Sequence, residues 1–240
     1  NDFFIPPMIF DEMNTLSKDK NPAFEFCESQ CFLAYKDNKI VGRIAGIINH
    51  KYVEIWKNKY ARFGWVEFID DDEVVDALFD AVTNWAKEKG MEGLHGPLGF
   101  SDLDFEGMLV DGFDQIPTIV TIYNFPYYPK QLERVGFIKD VDWNEFIIDT
   151  PKEVPERLLR IADVIKERRK LSLYEFKKGK DLKKIVPEVF ELLEDTYKDL
   201  YGVTPLNQGQ VDNVVENYIG HLDPDFAKFV LDEHGKLCGF

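Results

Sequence analysis

Cysteine is scarce in this 240-residue chain, which has three: Cys27, Cys31 and Cys238. An odd number does not close into a disulfide framework, and the step from Cys27 to Cys31 lacks the companions of a zinc site. The histidines, His50, His95, His221 and His234, are scattered without metal-ligand spacing. No metal centre and no tightly bound cofactor is therefore expected. Long apolar runs are missing as well, since none approaches the roughly 20 residues that a membrane-spanning helix needs. No signal-peptide pattern opens the chain, so a reducing, cytoplasmic setting is expected. Positive charge is in the minority, with 29 Lys and Arg against 44 Asp and Glu and a net charge of −15. That balance excludes a general nucleic-acid binder, whose affinity rests on bases neutralising phosphate. The one basic run, Lys166 to Lys170, reads as a solvated helix face. Neither a nucleophile elbow nor a Gly-x-Gly-x-x-Gly dinucleotide loop occurs.

Apolar residues make up 45% of the chain and aromatics 14%, ample for a packed core. Within that core-forming material a segment repeats. FLAYKDNKIVGR (Phe32 to Arg43) realigns without a gap on FVLDEHGKLCGF (Phe229 to Phe240), 197 residues later. Each copy reads as strand, polar turn and strand, the signature of a β-hairpin. A proline-containing polar step precedes each, NPAF from Asn21 and DPDF from Asp223. The repeat predicts a duplicated domain whose second copy stops within its hairpin.

Between the two copies the pattern alternates strand and helix. A short helix and a polar turn precede the first hairpin, and a polar stretch from Asn49 leads to a compact strand, Arg62 to Ile69. Val74, Leu78, Ala81, Val82, Trp85 and Ala86 then recur at helical spacing, with acids before them and Lys-Glu-Lys-Gly after. A short strand GLHGPL, a long loop to about Pro117 and an extended run Pro117–Tyr123 follow. A short helix ends at Gly136, and a strand is expected over Phe137–Ile148. This order predicts a mixed α/β fold with helices on both faces of a mixed sheet. The expected organisation is a domain over 1–150, a connecting helix over 151–170 and the start of a second domain over 171–240. In the last part LSLYEF reads as a strand and DLKKIVPEVFELLEDTYKDLYG as a helix.

The hairpin LAYKDNKIVGRIAG, the strand and helix RFGWVEFIDDDEVVDALFDAVTNWAKEKG and the segment YYPKQLERVGFIKD together resemble the GCN5-related N-acetyltransferase (GNAT) superfamily. GPLGFSDLDFEGMLVDGF followed by YNFPYY further resembles a bacterial tandem-domain subgroup of unassigned activity. The resemblance covers about residues 5 to 150 and the opening of the second copy. It implies a GNAT-like fold, acyl-CoA as co-substrate, and transfer of an acyl group to a small-molecule amine or a lipid amine. The alternatives are a long-chain acyltransferase acting on a lipid amine and a non-catalytic binding or scaffold module.

In the resembled family the pyrophosphate of acyl-CoA rests on backbone N–H groups at the start of the long helix, through a glycine-rich loop with Arg or Gln. Here that position reads Ile69-Asp70-Asp71-Asp72-Glu73. Four acids repel pyrophosphate, and Asp71 or Asp72 suits a helix cap instead. The donor-binding residues are thus unassigned, with the corresponding loop of the second copy, beyond Phe240, as the expected seat. The family's base on the central strand and acid on the short helix map onto Glu67 and onto Tyr127 or Tyr128, with Tyr123 nearby. The same residues also suit a solvent-facing strand position and an amphipathic rim. Asp102, Asp104, Glu106 and Gly107 imitate a calcium loop, but position 12 is Phe113, so the calcium reading fails. Asp102 and Asp104 then suit either a locally capped turn or an acidic loop that receives a cationic amine. Arg43, after the hairpin glycine, suits a carboxylate or phosphate ligand or a pairing with a neighbouring acid.

Overall fold

The computed structural model describes residues 2–118, 121–217, 219, 222–223 and 225–240. His221, Pro224 of the second proline step and positions 119–120 of the expected extended run lie outside them. The chain divides into two compact units. One is Asn1–Trp143 with Tyr201–Leu206, and the other is Asn144–Leu200 with Asn207–Phe240.

The first unit is built on a four-stranded sheet in the order β1 (Cys27–Lys36), β2 (Lys39–Asn49), β3 (Tyr60–Phe68), β4 (Gly93–His95). The first three strands are antiparallel and β4 runs parallel to β3. Asp37 and Asn38 join β1 to β2 with φ of 50° and 62°, the left-handed pair that a two-residue hairpin turn demands. Helix α3 (Asp72–Glu88) makes the crossover from β3 to β4. Val74, Leu78, Val82 and Ala86 of the expected stripe are buried, joined by Val75 and Phe79, whereas Ala81 and Trp85 are half-buried; Asp71 is the N-cap, accepting from the N–H groups of Glu73 and Val74. Glycine on β2 lets this helix come close. A Cβ at Gly46 would stand 2.7 Å from both Val82 and Trp85.

Helix α1 (Ile9–Thr15) precedes the 3-10 turn Pro22–Glu25, and that turn and the loop after β4 cover the opposite sheet face. Ala23, Cys27, Ile47 and Phe100 form its buried cluster. A helix, α2 (His50–Trp56), occupies part of the stretch read from sequence as merely polar. Asn49 caps it by accepting from Tyr52 N–H, and Tyr52 is buried; this tertiary anchor outweighs its polar composition. Helix α4 spans Tyr127–Arg134, and Gly136 follows with φ of 100°, as the sequence predicts.

The strand expected over Phe137–Ile148 does not form among the described residues. Phe146, Ile147 and Ile148 are 80–84% exposed, and no strand pairs with this stretch. Apolar, β-prone sequence becomes a strand only when a ladder partner satisfies its backbone. The division between units lies at Trp143/Asn144, whereas the composition break is at Asp149–Arg157. The first unit is moreover discontinuous, because Tyr201–Leu206 returns to it.

The second unit contains α5 (Glu156–Arg169), β5 (Ser172–Leu173), the 3-10 turn Gly179–Lys184, α6 (Val186–Tyr197), α7 (Gln208–Asn217), β6 (Val230–Leu231) and β7 (Leu237–Gly239). β5, β6 and β7 form a small antiparallel sheet over a core of Leu182, Ile185, Val186, Val189, Phe229 and Leu237. Helix α7 was not evident from periodicity. Its start is nonetheless written locally, since Gln210 N–H donates to Asn207 Oδ1 and Asn207 N–H donates to Gln210 Oε1, a capping box.

Both copies of the repeat fold as antiparallel hairpins. In β1–β2 the pairing skips Val41, and in β6–β7 it skips Cys238. The 197-residue offset equates those two positions, so the bulge recurs with the sequence. The polar steps recur too. Asn21 Oδ1 accepts from Ala23 N–H and Asp223 Oδ1 from Asp225 N–H, each at 2.9 Å.

Candidate active site

A second bulge shapes the central strand. Arg43 stands opposite Glu67 and Ala45 opposite Gly64, so Ile44 faces both Trp65 and Val66. Trp65 adopts φ of 46°, a left-handed conformation rare for a bulky side chain. The bulge turns Glu67 onto the same sheet face as Arg43. Helix α4 then brings the two expected tyrosines to the end of the strand. Tyr128 is buried, its ring stacked on Phe68 with centroids 4.2 Å apart. Its hydroxyl donates to Glu67 Oε2 at 2.7 Å and accepts from Phe68 N–H at 3.2 Å. Tyr127 donates to the Phe68 carbonyl at 2.7 Å. Burial, then the bond to Glu67, raises the Tyr128 pKa above the usual phenol range, and burial also raises that of Tyr127. Both stay protonated at neutral pH. Arg43 Nη1 lies 3.8 Å from Glu12 of α1, so it pairs with an acid.

The start of α3 is crowded by its own acids and by α4. Asp71 caps the helix and pairs with Lys36 at 2.5 Å. Gln131 Nε2 donates to Asp70 at 2.8 Å and to Asp72 at 3.0 Å, and Arg134 pairs with Asp76 at 2.8 Å. A pyrophosphate does not fit here, since the N–H groups of Glu73 and Val74 already serve Asp71 and further carboxylates surround them.

The acidic loop after β4 splits its roles. Asp104 faces inward and closes the loop, accepting from Phe100 and Ser101 N–H. Burial lifts its pKa to about 6. Asp102 and Glu106 face each other beside Arg62. Asp102 Oδ1 and Glu106 Oε1 are buried and make no hydrogen bond in the protein, and burial raises the pKa of both carboxyls. Burial, then the charge of Asp102, raises the Glu106 pKa. Tyr123 meets this loop at Phe113 rather than at its acids, its hydroxyl donating to the Phe113 carbonyl at 2.9 Å.

Arg62 and His95 carry no role in the reading of the sequence, and both are central here. Arg62 is fully buried on β3, donating to the carbonyls of Gly99 at 3.0 Å and Gly202 at 2.5 Å. Its signal was available, for a charge inside the apolar run ARFGWVEF is unusual for a buried strand. His95 ends β4 and is 8% exposed. Its Nδ1 lies 3.2 Å from the Tyr201 hydroxyl, and burial, then Arg62, lowers its pKa to about 3. The imidazole is therefore neutral. His95 and Tyr201 line a cleft of about 1240 Å³ bounded by α3, β4 and the segment after α4.

Over 238 residues the chain is 24% identical to Protein YghO of Escherichia coli (strain K12), covering 99% of this chain and 60% of that protein. Over 233 residues it is 26% identical to the bacterial ceramide synthase of Caulobacter vibrioides, covering 94% of this chain and 59% of that protein. The chain thus spans about three-fifths of the length of these curated relatives. No family model and no solved structure matches it. Among the described residues no helix is long and apolar enough to cross a membrane, and no group of side chains is arranged to hold a metal ion.

Proposed function

We propose that the chain carries the acyl-transfer site of an N-acyltransferase whose acceptor is a lipid amine and whose donor is a long-chain acyl-CoA. The observation that carries this reading is the bond between Tyr128 and Glu67 at the bulged end of β3. The similarity to a ceramide synthase supports it, because a ceramide is the amide of a long-chain amine. The GNAT-like order of elements also supports it, with the fold itself part of the proposal.

In this reading the amine nitrogen attacks the thioester carbonyl, the C–N bond forms and the C–S bond breaks. Glu67 takes the proton from nitrogen. Tyr128 gives its hydroxyl proton to the departing sulfur and is restored by the proton now on Glu67. The high pKa of Tyr128 suits this coupled exchange, since the hydroxyl does not ionise alone. Arg43, paired with Glu12, holds the charge of this face in balance. The donor's pyrophosphate needs a seat other than the start of α3. That same crowded helix start favours the second reading, a binding module without turnover.

The test is release of coenzyme A thiol and formation of amide from a long-chain amine and a long-chain acyl-CoA. Glu67→Gln is expected to lower the rate by about 100-fold or more, the scale of general-base catalysis. No thiol release from any acyl-CoA by the protein would leave the binding module standing instead.

A further inference from the structure

The cleft beside β4 is lined by apolar side chains, among them Phe79, Leu94, Leu98, Leu132, Phe137 and Trp143, and by charged ones such as Lys139 and Asp140. Its volume, about 1240 Å³, exceeds the roughly 300–1,000 Å³ of an ordinary small-ligand pocket. One end is polar and built from a chain of bonds. The Asp140 carboxyl stands beside the Tyr201 hydroxyl and, after burial, raises its pKa, so the hydroxyl keeps its proton and turns it toward that acid. Tyr201 oxygen is then the acceptor for His95 Nδ1–H, 3.2 Å away. That tautomer leaves His95 Nε2 as a bare acceptor. Nε2 is buried and has no hydrogen-bond partner in the protein, although the residue lines the cleft. A buried acceptor without a donor is costly and rare enough to require an explanation.

We propose that this cleft binds a long aliphatic chain whose head carries an O–H or N–H donor, received by His95 Nε2. The apolar wall takes the chain through burial of its methylene groups. The polar end selects the head. An ether or ester oxygen offers no donor to Nε2. A carboxylate offers none either, and of the cations that line the cleft Lys139 is paired with Asp142 and Arg134 with Asp72 and Asp76. Arg62 lies behind this wall, with its Nη2 on the Gly202 carbonyl and its charge balanced by the Asp102–Glu106 pair, so it does not reverse that preference. An alcohol and an uncharged amine share the required chemistry. The site rests on the lipid-amine reading only for the choice of amine as the natural head.

Trp56 and Trp143 both line the cleft and report its occupancy by fluorescence. The full chain is titrated with dodecanol, dodecylamine, dodecyl methyl ether and dodecanoate, each below its aggregation concentration. Dodecanol and dodecylamine are expected to bind saturably, with the ether and the carboxylate weaker by about tenfold, the worth of one hydrogen bond. His95→Phe is expected to abolish the preference for dodecanol over its ether. Equal binding of the alcohol and ether by the unaltered chain, or no saturable binding of any probe, overturns the proposal even if the variant does not fold. Saturable, donor-selective binding without thiol release would remove the acyl-transfer reading and leave this site in place. Turnover without donor selectivity would do the reverse.

Discussion

Tyr128 serves two partners with one hydroxyl, and that makes its two possible roles separable. Tyr128→Phe leaves Phe68 N–H without its acceptor and is expected to cost about 1–3 kcal/mol of stability, measured by denaturant unfolding. Glu67 is exposed and receives a bond from the hydroxyl, so Glu67→Gln is expected to lower acyl transfer while leaving the unfolding midpoint nearly unchanged. Asp104 and Glu106 give the stability of the first unit a direction with pH. Both have raised folded-state pKa values, so the folded chain binds more protons than the unfolded one. Their contribution is fully present in acid and declines as pH rises, for Asp104 between about 4 and 6. Arg62 limits the loss without cancelling it. Glu106→Gln, which mimics the protonated form, is therefore expected to raise the melting temperature at pH 8 and to leave it almost unchanged at pH 5. The residue types at this site were legible as acids in a loop. Which of them faced Arg62 was not, because loop sequence does not specify which side chain turns inward.

Much of helix α3 was legible, with Asp71 one of two expected caps and Val74, Leu78, Val82 and Ala86 in its stripe, because cap and periodicity are local signals; Val75 and Phe79 were not expected. What holds it against β2 is less local. Gly46 leaves room for Val82 and Trp85, and Gly46→Ala is expected to overpack that contact at a cost of about 1–3 kcal/mol, read by thermal or denaturant melts. The β1–β2 hairpin was likewise readable from Asp37-Asn38, and its echo in β6–β7 extends to the bulged residue. Helix α2 and the unformed strand over 137–148 were misread for one shared reason. Buried partners decide both, Tyr52 in the first case and the lack of a ladder neighbour in the second.

At the scale of the molecule, the return of Tyr201–Leu206 to the first unit carries a testable consequence. That segment supplies the Gly202 carbonyl to Arg62, the Val203 carbonyl to Trp56 and the Thr204 hydroxyl to Asn49. A fragment of residues 1–150 leaves all three donors without these partners, and Arg62 keeps only the Gly99 carbonyl. The fragment is expected to melt well below the full chain, and an equal melting temperature would show the segment to be dispensable.

The sequence by itself determined the elements whose signals lie within a few residues: the hairpins, α3, α4, and the acids that bar pyrophosphate from the start of α3. It also determined what the chain lacks, from metal-ligand spacing to long apolar runs. The tertiary structure alone decided that Glu67 and Tyr128 meet, that Asp102 and Glu106 share their place beside Arg62, and that His95 ends with an unpaired nitrogen at a cleft. Such tertiary bonds join residues up to 155 positions apart along the chain, as Asn49 and Thr204 are. Burial sets their charges and protons, and burial is a property of the packed fold rather than of any short stretch of sequence.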